Sequence, residues 1–157
     1  MEKILKILAE NARISLEDLA AMTGTTTEQA AALLDRCQRE GVIHGYHALV
    51  DWEKAGVNHV QAIIELRVTP KRDCGFDEVA KAVADFEEVD SVMLMSGGYD
   101  LSLVMSGKSF QEIALFVAKR LSTLEGVLST TTHFVLHTYK KDGVLYDGEA
   151  VDERENQ

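Results

Sequence analysis

The apolar positions of this chain change their period once, and the change divides it in two. Over the first 40 residues the spacing is helical. Ile4, Leu5 and Leu8 fall at i, i+1 and i+4, on one face of a first helix. Ser15-x-x-Asp18 has capping-box spacing and opens a second helix, with Leu16, Leu19 and Ala20 as its apolar stripe. Gly24 interrupts the pattern. Thr25-Thr26-Thr27-Glu28-Gln29 then offers a threonine N-cap with an acidic or amide partner three residues on, so a third helix runs to about Glu40 and stops at Gly41. Two helices joined by a four-residue turn containing glycine make a helix-turn-helix. Any small helical bundle has the same periodicity, so DNA binding needs further support.

Residues 42–50 are β-prone and predict a connecting strand, followed by a polar hinge at Asp51-Trp52-Glu53-Lys54-Ala55-Gly56. Beyond the hinge, Val60, Ala62, Ile64, Leu66 and Val68 alternate with mostly polar neighbours as a strand closed by Thr69-Pro70. Phe76, Val79, Ala80 and Val83 form a helical stripe. Val89 to Met95 and Leu101 to Met105 read as two more strands. Phe110, Ile113, Ala114, Val117, Leu121 and Leu124 mark a long amphipathic helix, and Val127 to about Tyr139 a last strand. The order β-α-β-β-α-β is the ferredoxin-like arrangement. The expected fold class is therefore α+β: an N-terminal helix-turn-helix (winged-helix-like) domain with its connecting strand at 1–50, a C-terminal ferredoxin-like βαββαβ domain at 51–141, and an acidic tail at 142–157.

A ferredoxin-like sheet carries both helices on one face, and its other face is polar if it meets water. Here Ile63, Met93, Met95 and Val104 fall out of phase with the helix-facing residues and leave an apolar patch. Covering by a second copy predicts a homodimer, with tetramers or octamers as further assemblies. Isolated exposed apolar side chains are the plainer alternative.

Charge complicates the nucleic-acid reading. The net charge is −10, and no segment is basic: acidic residues outnumber Lys and Arg before the hinge, after it, and most of all in the tail with Asp147, Glu149, Asp152, Glu153 and Glu155. That tail is expected to be poorly ordered. The charged N-terminus has neither a signal-peptide core nor a membrane span, and Cys37 and Cys74 have no ligand-spaced partners. A cytoplasmic protein without disulfide, zinc module or membrane contact is expected. His133 and His137 lie roughly 13 Å apart if their strand continues, too far for one ion, and His44 and His47 point oppositely. No common catalytic or cofactor fingerprint is present, so neither an enzyme, a metal nor a cofactor is expected.

Four stretches, in this order and spacing, carry a resemblance to a known family: Asn11-Ala12-Arg13-Ile14-Ser15 with Leu19-Ala20 and Gly24; Glu40-Gly41-Val42-Ile43-x-Gly45-Tyr46; Ser96-Gly97-Gly98-Tyr99-Asp100; and Leu124-x-Gly126-Val127. Together they resemble the Lrp/AsnC (feast/famine) transcription regulators up to about Tyr139. The resemblance implies a DNA-binding helix-turn-helix, a connecting strand that pairs between protomers, and a domain that dimerises and binds a small effector, usually an amino acid. It places DNA contacts on the third helix and its start, at Thr26, Thr27, Gln29, Leu33, Arg36 and Arg39. Gln29 suits an adenine edge, and Arg36 a guanine edge or a phosphate. Positions 33 and 35 are often basic in the family; here they are Leu33 and Asp35, which weakens phosphate binding.

The Gly97-Gly98-Tyr99-Asp100 loop is the expected effector site. Glycines let backbone N–H groups approach a carboxylate, and Asp100 offers an acceptor for an ammonium; the plainer reading is a hairpin turn that Asp100 caps. The resemblance adds groups from a neighbouring subunit's last strand, where Thr130 and Thr132 share one face and Thr131 takes the other. Two alternatives accompany the regulator: an amino-acid sensor whose acidic helix-turn-helix meets a protein, and an enzyme resembling the tetrapyrrole (siroheme) decarboxylases. The enzyme needs convergent His and Arg groups, yet nothing in sequence clusters Arg67, Arg72 and Arg120.

Overall fold

The computed structural model describes residues 1–70 and 75–146. The chain forms two compact units, one of residues Met1–Leu49 and one beginning at Val50. The first holds α1 (Glu2–Glu10), α2 (Leu16–Thr23) and α3 (Thr27–Arg39) around buried Ile4, Leu19, Ala20, Ala30 and Cys37. Local chemistry sets each boundary. The Ser15 hydroxyl accepts from the Asp18 N–H at 3.1 Å and caps α2. Gly24 ends α2 in the left-handed conformation at φ 70°, which glycine adopts without a Cβ penalty. Thr26 starts α3 with a reciprocal capping box, its hydroxyl accepting from the Gln29 N–H while Gln29 Oε1 accepts from the Thr26 N–H.

After α3 the structure departs from expectation. Val42 and Ile43 donate to the Cys37 carbonyl, finishing the helix, but residues 44–50 form no strand. A β-prone segment needs a neighbouring ladder, and the single chain supplies none. The polar stretch expected as a hinge is a tight helical turn: Ala55 donates to the Asp51 carbonyl, and the Asp51 side chain accepts from the Lys54 N–H at 3.0 Å.

The second unit is a four-stranded antiparallel sheet in the order β2-β3-β1-β4, built from β1 (Val60–Val68), β2 (Val89–Leu94), β3 (Leu101–Gly107) and β4 (Val127–Phe134). Helices α4 (Asp77–Ala84) and α5 (Phe110–Phe116), with a π-helical turn at Val117–Leu121, complete the ferredoxin-like order. Ala62, Ile64, Leu66 and Val68 of β1 and Leu101, Leu103 and Met105 of β3 are buried with Val79, Val83, Ile113, Phe116, Val117 and Leu121 of the helices. The long helix expected over Phe110 to Leu124 is thus interrupted: Ser122 donates to the Val117 carbonyl, an i→i+5 bond, and the widened turn leaves both Val117 and Leu121 buried.

The last strand is shorter than expected. It stops at Phe134 because β1 begins at Val60 and offers little ladder beyond it; Val135 still donates to the Gln61 carbonyl. A small hairpin follows, β5 (Lys140–Lys141) against β6 (Val144–Leu145), closed by Asp142 and Gly143 at positive φ. The acidic tail expected from residue 142 therefore begins inside a hairpin, and its residues from Asp147 on lie outside the described ones.

Gly126, read in sequence as part of Leu124-x-Gly126-Val127, sits at φ 91°, and a Cβ there would lie 3.1 Å from Val79 Cγ2 of α4. Gly126→Ala is expected to lower stability by about 1–3 kcal/mol, the usual cost of a non-glycine residue held in such a conformation. The urea midpoint of the variant, with an unchanged slope, measures this.

Candidate DNA-binding helix and effector loop

Two regions carry the candidate residues, one in each unit. On α3, Ala30 and Cys37 are buried and Leu33 and Leu34 half-buried, which turns Glu28, Gln29, Ala32, Asp35, Arg36 and Arg39 outward. Thr27 is half-buried, so it faces solvent less than expected. Thr26 and Gln29 are exposed, but their polar atoms serve the capping box. The Gln29 carbonyl oxygen is held 3.1 Å from the Thr26 N–H, so a bidentate adenine contact requires that bond to break. Leu33 is half-buried and so presents only part of its side chain to the surface. The basic residues Arg36 and Arg39 both stand in the last turn, with Arg39 Nε donating to the Asp35 carbonyl at 3.4 Å.

Glu28 was not among the expected contacts. It lies in the first turn of α3, fully exposed, and its carboxyl is held below the ordinary carboxylate range, first by a backbone hydrogen bond at Glu28 itself and second by the Thr26 side chain. Because the folded value lies below the unfolded one, this interaction favours the folded helix at ordinary pH. The contribution fades as pH falls through the folded value. The signal in sequence was its place one residue before the capping amide.

Between α1, α2 and one flank of α3 the first unit has an open cleft of about 270 Å³, lined mainly by alkyl groups of Leu8, Ile14, Leu19 and Leu34, with Asp35, Gln38 and Tyr46 also on its wall.

In the second unit the Ser96–Asp100 loop joins β2 to β3. Gly97 and Gly98 are exposed, Tyr99 and Asp100 half-buried. Asp100 is not a free carboxylate. Its Oδ2 accepts from the Val68 N–H at 2.8 Å, its own N–H donates to the Leu66 carbonyl at 2.9 Å, and its carbonyl accepts from the Met95 N–H at 2.8 Å. The residue pins the loop to the end of β1, where the β1–β4 register shifts between Arg67 and Val68. The Asp100 side chain thus bonds the end of β1, 32 residues away, in place of the nearby backbone that a turn cap would engage.

Thr130 and Thr132 share a face, as alternation requires, but it is the helix-covered one: they pair with Leu66 and Ile64, and the Thr130 and Ser122 hydroxyls lie 3.4 Å apart. The structure therefore does not bring them to the sheet's open face. Thr131 takes that face, opposite Glu65, beside His133, whose Nε2 lies 3.4 Å from Glu65 Oε1. Ile63, Met93 and Met95 are exposed and Val104 half-buried. Half-buried Glu65 and exposed His133 share this face, and buried Ser102 stands between Glu65 and Met93.

Among the described residues no group of three or more His, Cys, Asp or Glu side chains is placed to hold a metal ion, and no helix is long and apolar enough to cross a membrane. Of the arginines weighed for an enzyme, Arg120 stacks over Phe86 at 4.3 Å and pairs with Glu88 at 2.6 Å, Arg67 is exposed on β1, and Arg72 lies outside the described residues.

Comparison with known proteins decides the family. The Lrp/AsnC ligand binding domain matches residues 61–145, and the winged helix-turn-helix DNA-binding domain residues 2–44. The chain belongs to the Lrp/AsnC family. It is 49% identical over 146 residues to the Bacillus subtilis HTH-type transcriptional regulator YugG, covering 92% of this chain and 88% of that one. It is 28% identical to the proline dehydrogenase transcriptional activator of Rhizobium radiobacter over 90% of each. Among solved structures, a Neisseria meningitidis transcriptional regulator in complex with L-Met superposes with a TM-score of 0.70 at 26% identity, covering 88% of this chain and 89% of that one. Escherichia coli AsnC shares the fold with a TM-score of 0.67 at 21% identity, over 88% and 91%. This Lrp/AsnC chain is thus a transcriptional regulator with a helix-turn-helix and a ligand-binding domain, and its relatives are named as regulators rather than enzymes.

Asp100→Ala is expected to lower the melting temperature in the absence of any ligand, because a charge-assisted bond to a backbone N–H contributes about 1.5–3 kcal/mol. A melting temperature equal to that of the parent protein would return Asp100 to the role of a free ligand acceptor.

Proposed function

We propose that this regulator works as a homodimer that binds DNA through α3 and responds to an amino acid or a similar small zwitterion at the Ser96–Asp100 loop. The observation that carries the reading is the joining, in one chain, of a capped helix-turn-helix to a domain whose structural neighbour was crystallised with L-Met. Exposed Gly97 and Gly98 offer backbone groups to a carboxylate, and Asp100, anchored to Val68, holds that loop in place. A second copy covers the open sheet face, which buries Ile63, Met93 and Met95.

Arg36 and Arg39 supply the positive charge that α3 retains. Selection of duplexes from a random pool at low salt, with and without a mixture of amino acids, tests the reading; enrichment that shifts with the mixture supports it, and no enrichment overturns it. On a selected duplex, Arg36→Ala and Arg39→Ala are each expected to weaken binding. Each lowers the slope of log affinity against log salt by about 0.9 per lost phosphate contact. Unchanged slopes in both would remove the last turn of α3 from the interface.

The dimer is tested separately. Ile63→Asp places a carboxylate at the centre of the open face, next to Glu65, and is expected to convert the protein to monomer in sedimentation at micromolar concentration. A dimer that persists at the parent's affinity would exclude this face.

A further inference from the structure

Helix-turn-helix proteins read base edges with the N-terminal residues of their second helix, while contacts to phosphate fix its position. On α3, Glu28, Ala32, Asp35 and Arg39 follow one another at i, i+4, i+7 and i+11 and share one exposed stripe. Arg39 stands roughly 16 Å behind Glu28 along the helix axis. The two ends of the stripe are therefore different in kind: a carboxylate leads and a guanidinium trails.

Three side chains in the first turn carry an acceptor for a base donor: the half-buried Thr27 hydroxyl, the Gln29 amide and the Glu28 carboxylate. The Gln29 oxygen is already engaged by the Thr26 N–H. The Glu28 carboxylate has about four acceptor sites, so its local bonds leave capacity free. Among phosphates a carboxylate is repelled, and it is favourable at a DNA-facing position only where a donor meets it. In the major groove cytosine presents its N4 amino group, guanine and thymine present acceptors, and adenine places the N7 acceptor beside its amino donor. Cytosine is the base that suits a lone carboxylate best.

We propose that Glu28 is a specificity-determining residue of this regulator, accepting a hydrogen bond from the N4 amino group of a cytosine while Arg36 and Arg39 hold α3 against the phosphates. The proposal rests on the DNA-binding reading above. The test uses the full chain and duplexes selected from a random pool, with Glu28→Ala and Glu28→Gln compared to the parent. The parent is expected to require a C·G pair at one position. Glu28→Ala should lose that preference by roughly tenfold in relative affinity, as for one mismatched pair, and keep its preferences elsewhere. Glu28→Gln, whose amide both donates and accepts, should admit adenine there. Melting curves confirm that both variants remain folded. Equal tightening on every sequence, with all base preferences unchanged, would mean that Glu28 only repels DNA and would overturn the proposal, as would variants indistinguishable from the parent. If the parent itself enriches no sequence, the DNA-binding reading fails and the proposal with it.

Discussion

Strand β1 is hydrogen-bonded along both edges, to β3 from Val60 to Leu66 and to β4 from Ala62 to Val68. Its alternation does two jobs at once. Ala62, Ile64, Leu66 and Val68 fill the space beneath the helices, and Ile63 and Glu65 set the character of the opposite face. A slip of one residue would exchange these sets, putting Glu65 into the core and four alkyl side chains into water, so the register is strongly specified. Asp100 adds a lock at the strand's end, where the ladder to β4 shifts.

That constraint explains why the open sheet face is mixed in character. Ile63 and Val104 pair across β1 and β3, and Met93 follows on β2, so the apolar side chains of that face lie on three neighbouring strands. Glu65 and His133 interrupt the apolar surface with a pair that meets laterally across β1 and β4.

The elements with strong local signals were legible from the sequence. The caps at Ser15 and Thr26, the left-handed Gly24 and the alternation of β1 each follow from side-chain chemistry within a few residues, and the structure has them where the pattern puts them. Features that depend on distant partners were not legible. The Asp100 carboxylate bonds Val68, 32 residues away, a pairing set by topology rather than spacing. Thr130 and Thr132 were rightly placed on one face, but which face depended on the register with β1. Residues 42–50 have the composition of a strand and lack a neighbour within the chain. Gln29 shows a different limit: the same motif that marks the start of α3 also occupies the side chain that the motif suggested for DNA.

The bond from Val68 to Asp100 has a kinetic side. Moving the Ser96–Asp100 loop outward strips the Val68 N–H and the Leu66 carbonyl of their partners at the end of the central strand, so the loop cannot swing as an independent flap. Its excursions belong to the slower openings in which a strand end frays, and exchange of the Val68 amide hydrogen with solvent keeps time with them. Gly97 and Gly98, exposed at the tip of that loop, are thereby carried on a base that moves only when the sheet end does.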